Sequence, residues 1–500
     1  MRVVLAARRS ALARLQAQLV AAALRENRPG IEIEFQYRES LGDRLPDRPL
    51  WEMPEKGVFT EDLRAELCGG GCDLVVHSWK DLPIEESEHT EIVATLPRAD
   101  ARDLLLVRED RWAGVERSGA ISLLTSSPRR ARNLGAFLPE ALPGDVRTVN
   151  FLPVRGNIPT RVRKMWEEEA DGLILAKAAL DRLLEAEAEE FVETAAELRR
   201  ALAQCRWMAL PLTANPTAPA QGALAVEIAR DREDLRRLLA GINCAATFAA
   251  VQREREILRA HGGGCHQAIG VSVRERAYGE ITIVRGVDAR GRELAQTILQ
   301  PDRARPPQLN RARLWPRDAA ENAWFSREPV AATQPDSAVA LWIAKADAMP
   351  AAWRIPATQI VWASGLRTWR RLARRGVWVH GCAESLGQEE PSRIETLAGP
   401  QRQWVRLTHA DVGEDPAMPT LATYRLRPRE APIDQQGLRG REYFFWTSGS
   451  NFRQALARNE WLRGMTHFCG PGNTARALRD AGLDPHIFLD HRQWLEEMSL

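Results

Sequence analysis

The chain has 500 residues, more than one hydrophobic core can serve, and should divide into roughly three to five compact units. Apolar residues make up 44% and charged residues 27%, an ordinary globular balance, and a net charge of +2 excludes strong non-specific attraction to nucleic acid. No apolar run approaches the roughly 20 residues that span a bilayer, and seven scattered cysteines do not form a disulfide framework.

Val3 to Ala6 is a short apolar run without the layout of a signal peptide. A cytoplasmic monomer is therefore expected, with no nucleic-acid and no membrane partner. Arg8-Arg9-Ser10 follows, and then Leu12, Leu15 and Leu19 recur at helical spacing, with Ser10 placed as N-cap. This strand–loop–helix grammar repeats along the chain. Cys72 to Val76 reads as a buried strand ending in His77-Ser78-Trp79-Lys80-Asp81. Ile121 to Leu124 leads into Thr125-Ser126-Ser127-Pro128-Arg129-Arg130, where Ser127 can cap a helix with Pro128 at its first position. Val149 to Val154 precedes Arg155-Gly156-Asn157, with Thr160-Arg161 opening the next helix. Gly172 to Ala176 precedes a helix that carries Arg182.

One arginine in a loop is ordinarily a solvated charge. Here the strand-end loops carry Arg8, Lys80, Arg129, Arg130, Arg155 and Arg161 together. Strand ends of a parallel sheet converge, and helix N-termini there add partial positive charge. Guanidinium forks bind carboxylate or phosphate bidentately, so the expected ligand is a polyanion. Neither a Walker A loop nor a dinucleotide fingerprint occurs, which leaves several carboxylates as good a candidate as phosphates. Asp81 is the exception among these cations. It either pairs with Lys80 or faces the ligand and stabilises positive charge developing during a reaction.

Gly262-Gly263-Gly264-Cys265-His266-Gln267-Ala268-Ile269-Gly270 presents a thiol on a loop whose backbone can be approached closely. Its thiolate can form a covalent bond, or the cysteine is an incidental surface residue. His261, Cys265 and His266 lack the partner pair that a zinc site needs, so no metal is expected.

Taken together, Arg8-Arg9-Ser10-Ala11-Leu12-Ala13, Lys56-Gly57-Val58-Phe59-Thr60, Asp73 to Pro83, Thr125 to Arg130, Arg155-Gly156-Asn157, Gln221-Gly222-Ala223-Leu224 and Gly263-Gly264-Cys265 resemble porphobilinogen deaminase, in order and at matching spacing over residues 1–300. The resemblance implies an α/β fold with two periplasmic-binding-protein-like lobes (1–103 with 207–228, and 104–206) and a small α/β domain at 229–300 bearing the cysteine. It implies a dipyrromethane cofactor on Cys265 through a thioether, and porphobilinogen as substrate. A polycarboxylate chain would be built on that cofactor with loss of ammonia, four units in all, and released as hydroxymethylbilane. Asp81 falls at the catalytic position. Lys80, Ser126, Ser127, Arg129 and Arg130 fall at cofactor positions, and Arg8, Ser10, Gln16, Lys56, Arg155, Arg161 and Arg182 at substrate positions. Glu52, Pro128, Ala179, Ala220 and Ala268 depart from residues common in relatives; Ala179 and Ala220 stand where relatives have glycine.

Asp302-Arg303-Ala304-Arg305-Pro306-Pro307 reads as an exposed linker, placed at 301–310. Beyond it strand–helix alternation returns. Ala338 to Ala344, Gln359 to Ala363, Thr420 to Leu426 and Tyr443 to Trp446 read as strands, and Leu366 to Arg375 as a basic helix. Thr447-Ser448-Gly449-Ser450 and Cys469 to Ala475 each open a further helix. Thr423-Tyr424-Arg425, Trp446 to Gly449 and Gly470 to Ala475 are short motifs in which residues 311–500 resemble uroporphyrinogen-III synthase, an α/β enzyme that cyclises hydroxymethylbilane. That resemblance implies a bifunctional transferase and lyase, with Tyr424 as proton donor and Thr447, Ser448 and Thr474 as carboxylate-binding hydroxyls. The alternative is a deaminase with a non-catalytic C-terminal domain. A ligand-binding protein on a similar scaffold would use neither Asp81 nor Cys265.

Overall fold

The computed structural model describes residues 1–39, 60–262, 268–318, 321, 324–400, 402–412, 418–429 and 435–500. They divide into two compact units, the first formed by Met1–Pro139, Asp145–Glu275 and Ile281–Ile298, the second by Glu140–Gly144, Arg276–Glu280 and Leu299–Leu500.

The first unit holds two five-stranded sheets. The strands are β1 (Arg2–Arg8), β2 (Glu32–Arg38), β3 (Leu74–Ser78), β4 (Thr90–Ala94), β5 (Asp103–Arg108), β6 (Ala120–Leu124), β7 (Thr148–Leu152), β8 (Gly172–Ala176), β9 (Cys205–Ala209) and β10 (Leu224–Ala229). One sheet has the order β2-β1-β3-β10-β4 and the other β7-β6-β8-β5-β9. The chain thus crosses from the first sheet to the second between β4 and β5 and returns between β9 and β10. Apolar runs such as Leu74-Val75-Val76 and Leu173-Ile174-Leu175 are fully buried, as strands covered on both faces must be.

The sequence led to the expectation of parallel sheets, and both are mixed. β1, β2 and β3 run parallel, as do β6, β7 and β8. By contrast, β10 is antiparallel to β3 and β4, and β5 is antiparallel to β8 and β9. These exceptions are strands of the crossing segments. They enter a sheet from the other lobe instead of through a covering helix, so no right-handed crossover imposes a parallel course.

A third sheet, Ile269–Arg276, Gly279–Val287 and Glu293–Pro301, follows the helix Ala245–Ala260. The second unit carries a six-stranded sheet that includes Ala340–Ile343, Trp404–His409 and Thr420–Pro428, and a four-stranded parallel sheet that includes Tyr443–Trp446 and Thr466–Cys469. Its expected helices are present as Leu366–Ala373, Gly449–Arg458 and Asn473–Asp480.

Candidate active site

β3 runs directly into a single 3₁₀ turn, Trp79–Asp81. Trp79 is fully buried and packs on Phe248, ring centroids 5.1 Å apart, which anchors the turn and sends Lys80 and Asp81 outward. Lys80 is half-buried and its Nζ donates to Gln221 Oε1 at 3.3 Å. Asp81 is exposed, because the short turn ends the strand at the rim of the sheet. At the neighbouring strand end Arg8 is half-buried. Ser10 caps the helix Ala11–Asn27, its Oγ accepting from Ala13 N at 3.4 Å. Gln16, 3% exposed, donates to Ser78 Oγ at 2.9 Å.

On the second lobe, β6 ends in the loop that opens the helix Pro128–Ala141. Ser127 Oγ accepts from Arg130 N at 3.4 Å, the expected capping role. Ser126 Oγ donates to Val154 O at 2.6 Å and accepts from Val154 N at 2.8 Å, which fixes the loop bearing Arg155. Asn157 caps Ile158–Glu167 through Thr160 N at 2.9 Å, and Arg161 Nε donates to Gly156 O at 2.7 Å. Arg182 Nη2 donates to Gly222 O at 2.7 Å.

Arg129 and Arg130 are buried, 4% and 6% exposed, and both grip Asp103, the first residue of β5. Arg130 Nη2 reaches Asp103 Oδ1 at 2.7 Å, and Arg129 Nη2 reaches Oδ2 at 2.9 Å. Gln221 Nε2 donates to Oδ1 at 2.8 Å and Asn215 Nδ2 to Oδ2 at 2.9 Å, so each oxygen accepts two hydrogen bonds. Arg129 Nη1 is spent on Asn215 Oδ1 and Pro216 O at 3.1 and 2.9 Å. The sequence placed Arg129 among the ligand-binding cations; here its terminal nitrogens are occupied by the protein. Asp103, Asn215 and the role of Gln221 were missed. The available signal was Arg102-Asp103, a charged pair directly before the apolar run Leu104 to Val107, where a buried carboxylate requires cationic partners.

The electrostatics follow from this crowding. Burial lowers the Lys80 ammonium to about 8; Arg130 and Arg161 lower it too, against Asp81 and Asp103, which raise it. Burial, then Arg130, brings Arg161 down to about 10. Burial alone would raise Asp103, but Arg130 and Arg129 hold it well below the usual carboxylate range. Among the described residues, Arg130 Nε and Arg155 Nη1 are buried donors with no partner. Such orphaned donors suit carboxylates supplied by a ligand, and the donor chemistry fits the polycarboxylate dipyrromethane.

Lys56 and Cys265 lie outside the described residues. The loop with Cys265 joins the helix Ala245–Ala260 to the strand Ile269–Arg276. Gly270 of that strand runs so close to the second crossing segment that a Cβ would come within 2.0 Å of Pro216 O and 3.1 Å of Arg129 Cδ. Only glycine permits this approach, and it brings the start of that strand beside the Asp103 cluster.

In the second unit, Thr447 is exposed just past Tyr443–Trp446, Ser448 caps Gly449–Arg458 by accepting from Ser450 N at 3.2 Å, and Thr474 lies in the first turn of Asn473–Asp480. The two parallel strands preceding these helices are the central pair of the sheet, and the three hydroxyl residues follow their carboxyl ends. Tyr424 belongs to the other sheet and is 4% exposed. Burial raises its phenol, against Arg327, whose guanidinium carbon lies 5.7 Å from the ring centre.

Residues 3–237 match the family described as "Porphobilinogen deaminase, dipyromethane cofactor binding domain". The porphobilinogen deaminase of Syntrophomonas wolfei is 33% identical over 316 residues, covering 59% of this chain and 94% of that protein. That of Acidothermus cellulolyticus is 40% identical over 271 residues, 53% of this chain and 73% of that protein. A solved uroporphyrinogen-III synthetase from Helicobacter pylori aligns with 35% of this chain and 89% of its own at 15% identity and a TM-score of 0.26, too slight a likeness to bear on activity. No helix among the described residues is long and apolar enough to cross a membrane, and no metal-binding group of His, Cys, Asp and Glu occurs among them. The chain belongs to the porphobilinogen deaminase family, the enzymes that form hydroxymethylbilane for tetrapyrrole synthesis and carry a dipyrromethane cofactor.

Proposed function

We propose that Asp81 is the catalytic carboxylate of this deaminase, and that the cations facing it from both lobes hold the carboxylates of substrate and cofactor. The observation that carries this reading is electrostatic: Asp81, Arg130 and Arg161 from separate strand ends act on the Lys80 ammonium, and Arg130, Asp81 and Arg155 on the Arg161 guanidinium. Cys265 would hold the dipyrromethane, with Lys80, Ser126, Ser127 and Arg130 around it and Arg129 behind. When bound, that group supplies the free pyrrole end on which the product is extended. Arg155, Arg161 and Arg182, with Arg8, Ser10, Gln16 and Lys56 on the other lobe, bind and orient the acetate and propionate of porphobilinogen by charge-assisted hydrogen bonds. Loss of ammonia from porphobilinogen leaves a cation, and the Asp81 carboxylate stabilises it where it forms. The deaminase domains are read as 1–103 with 207–228, 104–206 and 229–300. The protein is read as a cytoplasmic monomer that binds no nucleic acid.

For residues 311–500, past a linker at 301–310, the proposal is cyclisation of hydroxymethylbilane to the type III ring. Thr447, Ser448 and Thr474, gathered at two helix N-termini past the carboxyl ends of neighbouring strands, would bind its carboxylates. The burial of Tyr424, 4% exposed, favours the second reading, a C-terminal region without catalysis. Incubation of the full chain with porphobilinogen and isomer analysis of the oxidised product decides between them. Mainly type III product is expected. Type I alone would leave the deaminase standing and remove the synthase.

A further inference from the structure

We propose that Asp103 is a positioning residue for the deaminase reaction, holding the ligand-facing cations of the two lobes in register across the crossing segments. This inference rests on the site assignment above. Asp103 stands at the end of the first crossing and the start of β5, while Asn215 and Gln221 lie on the second crossing. Its four hydrogen bonds, two to each oxygen, therefore tie both crossings to the helix that carries Arg129 and Arg130. Gln221 extends the cluster to the first lobe. It is 1% exposed, its Nε2 also donates to Ala101 O at 2.7 Å, and its Oε1 accepts from Lys80 Nζ at 3.3 Å.

Lys80 of one lobe is thus joined to Arg130 of the other through Gln221 and Asp103. A saturated carboxylate of this kind cannot serve as acid, base or ligand contact, because every lone-pair direction is used. What it does is let two guanidinium groups lie side by side, with Arg130 Nε left over for a ligand oxygen. One negative charge against Arg129, Arg130 and Lys80 also leaves the cluster cationic, as a polycarboxylate requires.

Asp103→Asn keeps the shape but replaces one acceptor by a donor, so two of the four bonds become clashes of N–H groups. The full chain is assayed with porphobilinogen across pH, beside wild type, with intact mass of the enzyme-bound chains. Lys80 is faced by Asp81 and Asp103, which raise its pKa, by Arg130 and Arg161, which lower it, and by the neutral Gln221. Removing the Asp103 charge must lower it further. In Asp103→Asn the alkaline limb of kcat/KM is therefore expected at lower pH than in wild type. A fall in kcat/KM of about 100-fold, the scale of an ångström of misplacement, should accompany it, with short enzyme-bound chains accumulating. Asp103→Glu, which keeps the charge, should restore the position of the limb even if the rate stays low. A folded Asp103→Asn protein with the wild-type limb and wild-type kcat/KM overturns the proposal. If Asp103→Asn does not fold, Gln221→Leu severs Lys80 while leaving the arginine pairs. A raised KM at unchanged fold supports the proposal, and unchanged kinetics overturn it. Failure of wild type to consume porphobilinogen would instead overturn the underlying site assignment.

Discussion

The two units use the same strand–helix grammar and bury different chemistry. At the strand ends of the first unit the buried polar groups are charged and paired. Asp103 sits between Arg129 and Arg130, and Lys177, fully buried, holds Asp181 at 2.5 Å with Asp100 at 3.6 Å. In the second unit several buried polar groups are neutral. Trp446 Nε1 donates to His467 Nδ1 at 2.9 Å, and burial pushes His380 down to about 3 and His409 to about 4. Phe444, Trp446 and Phe452 pack around His467, and Trp315 and Trp324 extend that aromatic core past Trp446. Buried charge is costly unless paired, so a fold keeps it where chemistry needs it. The contrast marks the strand ends of the first unit as the place where paired buried charge gathers.

The sharpest test of that contrast is Cys265→Ala. Without the thiol no dipyrromethane can be attached, and hydroxymethylbilane formation should vanish while the second unit stays folded. Intact mass should show the adduct in wild type and its loss in the variant. An unmodified wild-type protein at full activity would remove Cys265 from the site. Next in size is Asp81→Asn, which keeps the shape and deletes the charge. Losing one such electrostatic stabiliser costs about 100- to 1,000-fold in turnover. The exposure of Asp81 makes this a demanding prediction, because solvent screens a carboxylate at the rim unless the ligand covers it. A near-normal rate would show that it remains uncovered.

Arg155→Leu should cost less. Its unpartnered Nη1 is the donor a ligand carboxylate would take, and one charge-assisted contact is worth about 1.5–3 kcal/mol. Elongation should slow and short enzyme-bound chains should persist. Arg129→Leu breaks the comparison in another way. Its terminal nitrogens serve Asp103, Asn215 and Pro216, so it should lower the melting temperature more than it alters KM. The pH profile gives a smaller effect again. Lys80 can bind a carboxylate only while protonated, and burial lowers its pKa to about 8, so if it holds substrate or cofactor kcat/KM should be retained below pH 8 and lost progressively above it. A profile flat through that range would show that the ammonium is not needed.

Legibility in the sequence followed the same division. Strand–loop–helix units were readable at Ser10, Ser127 and Ser448 because caps and apolar runs are local signals. The cations were readable because many stood at strand ends. Asp103 was not, since its importance comes from Asn215 and Gln221, 112 and 118 residues away. Nor was the direction of β5 and β10, which depends on where the crossing segments return. Tyr424 shows the reverse: a strand tyrosine in a short motif reads as available in the sequence, and the fold buries it.

The smallest expected effect concerns Ala220, an alanine in a backbone conformation that favours glycine. Its φ is +67°, left-handed, and its N–H donates to the buried Glu254 Oε2 at 2.7 Å, a carboxylate that also takes both terminal nitrogens of Arg98 at 2.8 and 2.9 Å. Ala220→Gly relieves a left-handed alanine worth about 1–2 kcal/mol. Against this stand about 0.4–1 kcal/mol of unfolded-chain entropy and about 0.8 kcal/mol for a buried methyl. The net is within about 1 kcal/mol of zero, a shift of a few degrees at most by thermal melting. Gly222 is the control, two residues on, with φ +89°. There a Cβ would come within 2.7 Å of Ala99 O, a backbone atom that cannot move aside cheaply. Gly222→Ala should therefore destabilise clearly more than Ala220→Gly alters anything. Equal melting temperatures for the two variants would show that the crossing segments adjust freely, and with them the spacing that Asp103 is proposed to hold.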